Sequence, residues 1–203
     1  MLDRRTILLA LLATPALGVA AAAAVPPAGV FIGDLADRAL ATLGNRSLSV
    51  EARDAEFRRL FVANFAVPRI GRFVLGRYWR QASPAEQREY LKLFTDYIVA
   101  IYVDRLSKYS GLKVRVLGTR PASGGGVFVE TEVVQPGATK PAAVAWRVEG
   151  EPGAYQIVDV VIEGVSMAIT ERQEFGSVIA NNGGNVGALL AALRQRIAAS
   201  AQR

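Results

Sequence analysis

The chain has 203 residues, a formal net charge of +6 and 51% hydrophobic residues, with no His and no Cys. Without His there is no Ser-His-Asp chemistry and no histidine metal site. Without Cys there are no thiol nucleophiles, disulfides or cysteine-ligated metals. The length suits one domain with a substantial core, or two small lobes sharing one.

The chain begins "MLDRRTILLALLATPALGVAAAAA", with Arg4 and Arg5, an apolar run from Ile7, and then small residues. That order is the n-region, h-region and Ala-x-Ala pattern of an export signal, so residues 1–24 are expected to be removed near Ala22 to Ala24. "DRRTIL" fits a twin-arginine signal and general secretory signals also carry arginines, which leaves the route open. No Cys follows to anchor a lipid, and no later run is long enough to span a bilayer. The expectation is an exported protein whose single domain covers residues 25–203.

"VPPAG" (25–29) reads as a linker. Phe31, Leu35, Ala39 and Leu43 form an apolar stripe that predicts a helix from Val30 to Leu43, stopped by Gly44 and Asn45. Ser49 is placed to cap a second helix whose face carries Phe57, Leu60, Phe61, Asn64 and Phe65. Pro68 disfavours helix at Val67 and ends it.

"NFAVPRIGRFVLGRYWR" (64–80) interleaves Arg69, Arg72, Arg77 and Arg80 with aromatic and aliphatic residues. Phosphates with stacking on Tyr78 and Trp79 would make it a nucleic-acid strip, but exported proteins seldom meet nucleic acid. Anionic lipid headgroups are the better phosphate source there. The plainest reading is a short amphipathic helix with Ile70, Phe73, Val74 and Leu75 turned to the core.

"SPAEQREYLKLFTDYIVAIYVDRLSKYSG" opens with a Ser83–Glu86 capping box and Pro84 at the first helical position. Tyr90, Phe94, Tyr97, Ile98, Ile101, Tyr102 and Tyr109 follow at helical spacing, so a long helix is predicted from Pro84 to Tyr109, closed by Gly111. Together these segments make a helical lobe over residues 30–110.

The texture then changes to strands in "LKVRVLGT", "GVFVETEVVQ", "AAVAWRVE" and "AYQIVDVVIE", separated by "SGGG", "PGATKP" and "GEPGA". Four strands over residues 112–163, most simply an antiparallel meander, are expected. Val127, Val129, Thr131 and Val133 share a face of one strand. Val144, Trp146 and Val148 share a face of the next, opposite Arg147 and Glu149. Helices are predicted over Glu171 to Ile179 and Val186 to Ala199, broken by "NNGG". Helices, a twisted sheet and helices again give an α+β fold.

Chemistry-bearing residues are sparse. Asp159 and Glu163 lie four apart on one strand and could work as an acid–base pair, but no nucleophile or oxyanion motif accompanies them. Ser166 lacks both a Gly-x-Ser-x-Gly frame and a His partner, and reads as a turn serine. "SGGG" and "NNGGN" lack the Lys-Ser/Thr of a phosphate loop and read as turns.

"VLGRYWRQASPAEQREYLKLFTDYIVAIY", "YSG", "AWRV", "IVDVVIEGVSM", "ERQEFGSVI" and "LLAAL" occur in this order, and from Val30 to Ala198 the chain resembles the MlaC family. These are periplasmic phospholipid-binding proteins, also known as toluene-tolerance or ABC-transporter auxiliary proteins. The resemblance implies a non-enzymatic carrier with no cofactor beyond its phospholipid cargo. It implies an apolar pocket between helices and sheet, and exchange with an outer-membrane lipoprotein complex and an inner-membrane ABC transporter. A hopanoid-associated branch looks similar. On this reading the pocket candidates are Val74, Leu75, Tyr78, Phe94, Ile98, Tyr102, Val129, Val144, Trp146, Val160, Ile162, Val165 and Met167. Arg72 and Arg77 would meet headgroups or partners. Each apolar candidate serves equally as plain core. An exported adaptor with a filled core, or an enzyme on the same frame, is the rival reading.

Overall fold

The structure, a computed structural model, describes residues 26–107 and 111–200. The export signal and Tyr109 lie outside the described residues. Six α-helices and five strands follow in chain order: α1 (Pro27–Gly44), α2 (Val50–Asn64), α3 (Val67–Leu75), α4 (Pro84–Ser107), β1 (Lys113–Pro121), β2 (Val127–Val134), β3 (Ala142–Glu149), β4 (Gln156–Ile162), β5 (Val165–Ser166), α5 (Met167–Asn181) and α6 (Val186–Ser200). A 3₁₀ segment, Gly76–Arg80, joins α3 to α4.

The helix starts follow local chemistry. Ser83 and Glu86 form the expected capping box: Ser83 Oγ accepts the Glu86 N–H at 3.3 Å and Glu86 Oε2 accepts the Ser83 N–H at 2.8 Å. The Ser83 hydroxyl, which donates to Glu86 Oε2 at 2.7 Å, and then the Ser83 N–H hold the Glu86 carboxyl below its usual pKa. Ser49 Oγ accepts the Ala52 N–H at 3.2 Å and caps α2. Three expectations shift. "VPPAG" is not all linker, because Pro27 opens α1; a first-turn proline lacks only an N–H that has no intrahelical partner there. The same logic makes Pro68 a starter as well as a stopper, and Val67 is the first residue of α3. Ser166 caps the Ile169 N–H at 3.1 Å, so α5 starts at Met167, a turn before Glu171.

The sheet is antiparallel throughout, in the order β1-β2-β3-β4-β5. The expected meander is there, with a short fifth strand after the Glu163–Gly164 turn, where both residues have positive φ. Its outer face carries ion pairs: Arg115 with Glu132, and Arg120 with Glu130 at 2.8 Å. The inner face is apolar.

Two hydrophobic cores form among the described residues. In one, Ala28, Ile32 and Leu35 of α1, with Leu60 of α2, cover Val129, Val148 and Ile157 of the sheet. The other lies among the helices, where Phe61, Val74, Leu75, Tyr90, Phe94, Phe175, Ile179 and Leu189 meet. Tyr90 is fully buried, and its hydroxyl donates to Gly71 O at 3.0 Å. A side chain at Gly71 would meet Leu91 Cδ2 at 2.7 Å, so glycine is what lets α3 lie this close to α4. Phe65, after α2, packs against both cores. The following Ala66 N–H donates to Ile157 O at 2.9 Å, which ties the helices to β4.

Candidate functional site

The strand register builds the site. Cross-strand neighbours share a face, and the pairings set two adjacent inner rows. One runs Val116, Thr131, Val144, Ile162, Val165 across all five strands; the other runs Val129, Trp146, Val160. Val129, Val144, Trp146, Val160, Ile162 and Val165, six of the residues singled out from the sequence, are therefore brought together.

The first row is closed at one side and open at the other. Thr131 is 1% exposed, Val144 8%, and Val165, on the edge strand, 52%; Ile162 between them is half-buried. Val129, Trp146 and Val160 pack into the core under α1, whereas Val133, Ala142, Val144 and Ile162 belong to neither core among the described residues. So the inner face has one end filled by α1 and another end whose apolar side chains no described core claims.

Thr131 was not singled out as a site residue. Its Oγ1 donates to Val144 O at 2.8 Å and accepts the indole N–H of Trp146 at 3.0 Å. A half-buried indole gains from a partner for its N–H, and this one holds the ring on the apolar face. The helical candidates lie apart from these rows: Val74, Leu75, Tyr78, Phe94 and Ile98 are buried in the helical core and Tyr102 is half-buried against it. Met167 is half-buried at the start of α5.

Arg72 and Arg77 do not sit with the inner-face residues. They line an open cleft between α3, the 3₁₀ segment and α5 that contains no strand residue. Phe73, expected in the core, is 44% exposed there.

The carboxylates do not form an acid–base pair. Glu163 has left β4 at φ 49°, and its carboxylate accepts the Ala143 N–H at 2.6 Å. Asp159 accepts from Val160 N at 2.8 Å, Ser166 Oγ at 2.6 Å and Ala168 N at 3.1 Å. It serves the N-terminus of α5, where a carboxylate meets free N–H groups and the positive helix end. We expect Asp159→Ala to cost about 1–2 kcal/mol in urea unfolding, as lost caps do. An unchanged midpoint would remove the capping role.

Among the described residues no group of three or more acidic side chains could hold a metal, and no helix is long and apolar enough to cross a membrane.

Comparison with known proteins agrees with this architecture. The phospholipid-binding protein of Ralstonia solanacearum, solved in complex with a phospholipid, superposes with a TM-score of 0.73 at 27% identity, covering 88% of this chain and 99% of that one. The intermembrane phospholipid transport system binding protein MlaC of Haemophilus influenzae is 24% identical over 123 residues, 57% of this chain. The chain spans 58% of the length of that relative. The MlaC protein family model matches residues 34–195, and the chain belongs to the MlaC family.

Proposed function

We propose that this protein is an exported, non-enzymatic phospholipid carrier that holds acyl chains against the inner face of its sheet. One observation carries the reading. The row from Thr131 to Val165 is apolar apart from Thr131, is claimed at Val144 and Ile162 by neither core among the described residues, and opens toward solvent at the edge strand. Burial of acyl CH₂ groups there contributes about 0.8 kcal/mol each, enough to retain a two-chain lipid without specific polar contacts. The phospholipid complex of the Ralstonia solanacearum protein and the phospholipid transport role of the Haemophilus influenzae relative support the same cargo. The signal-like first 24 residues support export to the periplasm. There the carrier would exchange lipid with an outer-membrane lipoprotein complex and an inner-membrane ABC transporter. No cofactor is needed.

Organic extraction of the purified protein followed by mass spectrometry tests this. Phospholipid is expected in proportion to protein. A hopanoid in its place would change the cargo and keep the carrier. Protein free of any lipid would overturn the proposal in favour of a filled-core adaptor.

A further inference from the structure

The open cleft has a chemistry of its own. Arg72, Arg77, Arg80 and Arg172 line it, and none of them pairs with a carboxylate among the described residues; Arg69, beside them, is neutralised by Glu149. Three of the four are held in place. Arg172 donates to Phe73 O at 3.1 Å and lies over the Phe73 ring at 4.9 Å. Arg77 donates to the Tyr78 hydroxyl at 2.8 Å and covers that ring at 4.9 Å. Arg72 stands over Trp79 at 5.9 Å. Gly76, at φ 60°, makes room for this: a Cβ there would come within 3.1 Å of the Arg172 guanidinium carbon. Four cations without a carboxylate partner among the described residues, three of them fixed, focus a positive field in one concavity.

Beside the cations the cleft becomes mostly apolar, with Gln173 and Ser177 also in its lining. It continues from Gly76 along α5 over the buried Leu75 and Tyr78 to Gly176 and Ala180, with a volume of about 590 Å³. A Cβ at Gly176 would meet nothing within 4 Å, so open space lies above it. Ile169 is 49% exposed on the same helix.

From this pairing we infer a docking site for an acidic polypeptide segment that carries a bulky apolar side chain between its carboxylates. Carboxylates match the fork of a guanidinium. An apolar patch beside the cations takes a protruding apolar side chain, the pairing of anchor and charge seen at protein interfaces. Nucleobases stack on exposed aromatic faces, and Phe73, Tyr78 and Trp79 each already have a guanidinium over the ring, which leaves less aromatic surface for stacking. The site shares no residue with the sheet's inner rows, so it stands whether or not the cargo there is a phospholipid.

The test uses the purified protein and a fluorescein-labelled peptide, Glu-Glu-Phe-Glu-Glu-Leu-Glu, read by anisotropy at low and at physiological salt. An analogue with Ala for Phe and Leu, vesicles of phosphatidylglycerol and phosphatidylcholine, and a short oligothymidylate are compared with it. Arg72→Ser with Arg80→Ser removes two cations. Gly176→Leu keeps the charge and covers the apolar patch. Arg115→Ser with Arg120→Ser makes the same charge change on the outer face of the sheet. We expect the peptide to bind, with affinity falling about tenfold or more in the first two variants and for the Ala analogue, and staying within about twofold in the third. Salt should weaken binding mainly through the on-rate.

Absence of peptide binding, an equal loss in the outer-face variant, or indifference to Gly176→Leu would each overturn the site. Tighter binding of the vesicles or the oligonucleotide, with the same dependence on Arg72 and Arg80, would reassign it to those ligands. Circular dichroism and extracted lipid, measured on every variant, report folding and cargo separately from docking.

Discussion

Val144→Asp is expected to give a folded protein that has lost its lipid, and Val148→Asp a protein that does not fold. The two residues lie four apart on β3 and point to the same face. Their surroundings differ. Val148 is 1% exposed inside the core that α1 makes with the sheet, so a carboxylate there is desolvated on every side. An unpaired charge in such a place costs several kcal/mol, a large share of a typical domain's stability. Val144, 8% exposed, is also buried but belongs to neither core among the described residues, and its row leads through Ile162 to the exposed Val165. If acyl chains fill that space, their departure lets water in, and water relieves most of the penalty. Circular dichroism beside quantitative lipid extraction reads both outcomes. Folded Val144→Asp protein with its lipid unchanged would take Val144 out of the site. Unfolding of both variants would mean that the inner face is packed along its whole length, as in a filled-core adaptor.

Phe175→Ala is expected to remove about 3–5 kcal/mol of stability, near the top of the range for a single truncation. Phe175 is 1% exposed, and its ring meets those of Tyr90, Phe94 and Tyr97 at centroid distances of 6.3, 6.3 and 5.7 Å. It is the point at which α5 locks onto α4. Two of these contacts are edge-to-face, so the loss includes ring geometry as well as buried area. The cavity left behind is walled by three large rings that cannot collapse into it. The denaturation midpoint should fall with little change in slope. Phe73→Ala, at a half-exposed ring in the arginine cleft, is the control and should cost about 1 kcal/mol or less. A loss below about 1 kcal/mol for Phe175→Ala would mean that α5 is held by something other than this cluster.

Much of the fold was legible in the sequence because it depends on neighbours. The capping box at Ser83, the helix stripes of α1, α2 and α4, and the alternation of β2 and β3 are interactions over one to four residues, and the chain carries them at periods of 3.6 and 2. The order of the motifs from "VLGRYWR" to "EGVSM" was enough to place the chain in its family. Alternation also showed that Val144 and Trp146 share a face.

The tertiary structure alone decided which faces meet. That the valine faces of β2 and β3 are one continuous surface depends on register, which pairs Val129 with Trp146 and Thr131 with Val144. That α1 covers one end of this surface and leaves the other unclaimed depends on where a helix from the start of the chain comes to rest. Arg172 joins arginines that lie about a hundred residues earlier, and no local pattern announces it. Asp159 looked like half of an acid–base pair until the turn at Glu163 and the start of α5 gave it three donors. The physical reason is common to all of these. Secondary structure is set by contacts close in sequence, which leave a periodic trace. A cavity, a charged cleft or a cap built across the fold is set by contacts far apart in sequence, and those leave none.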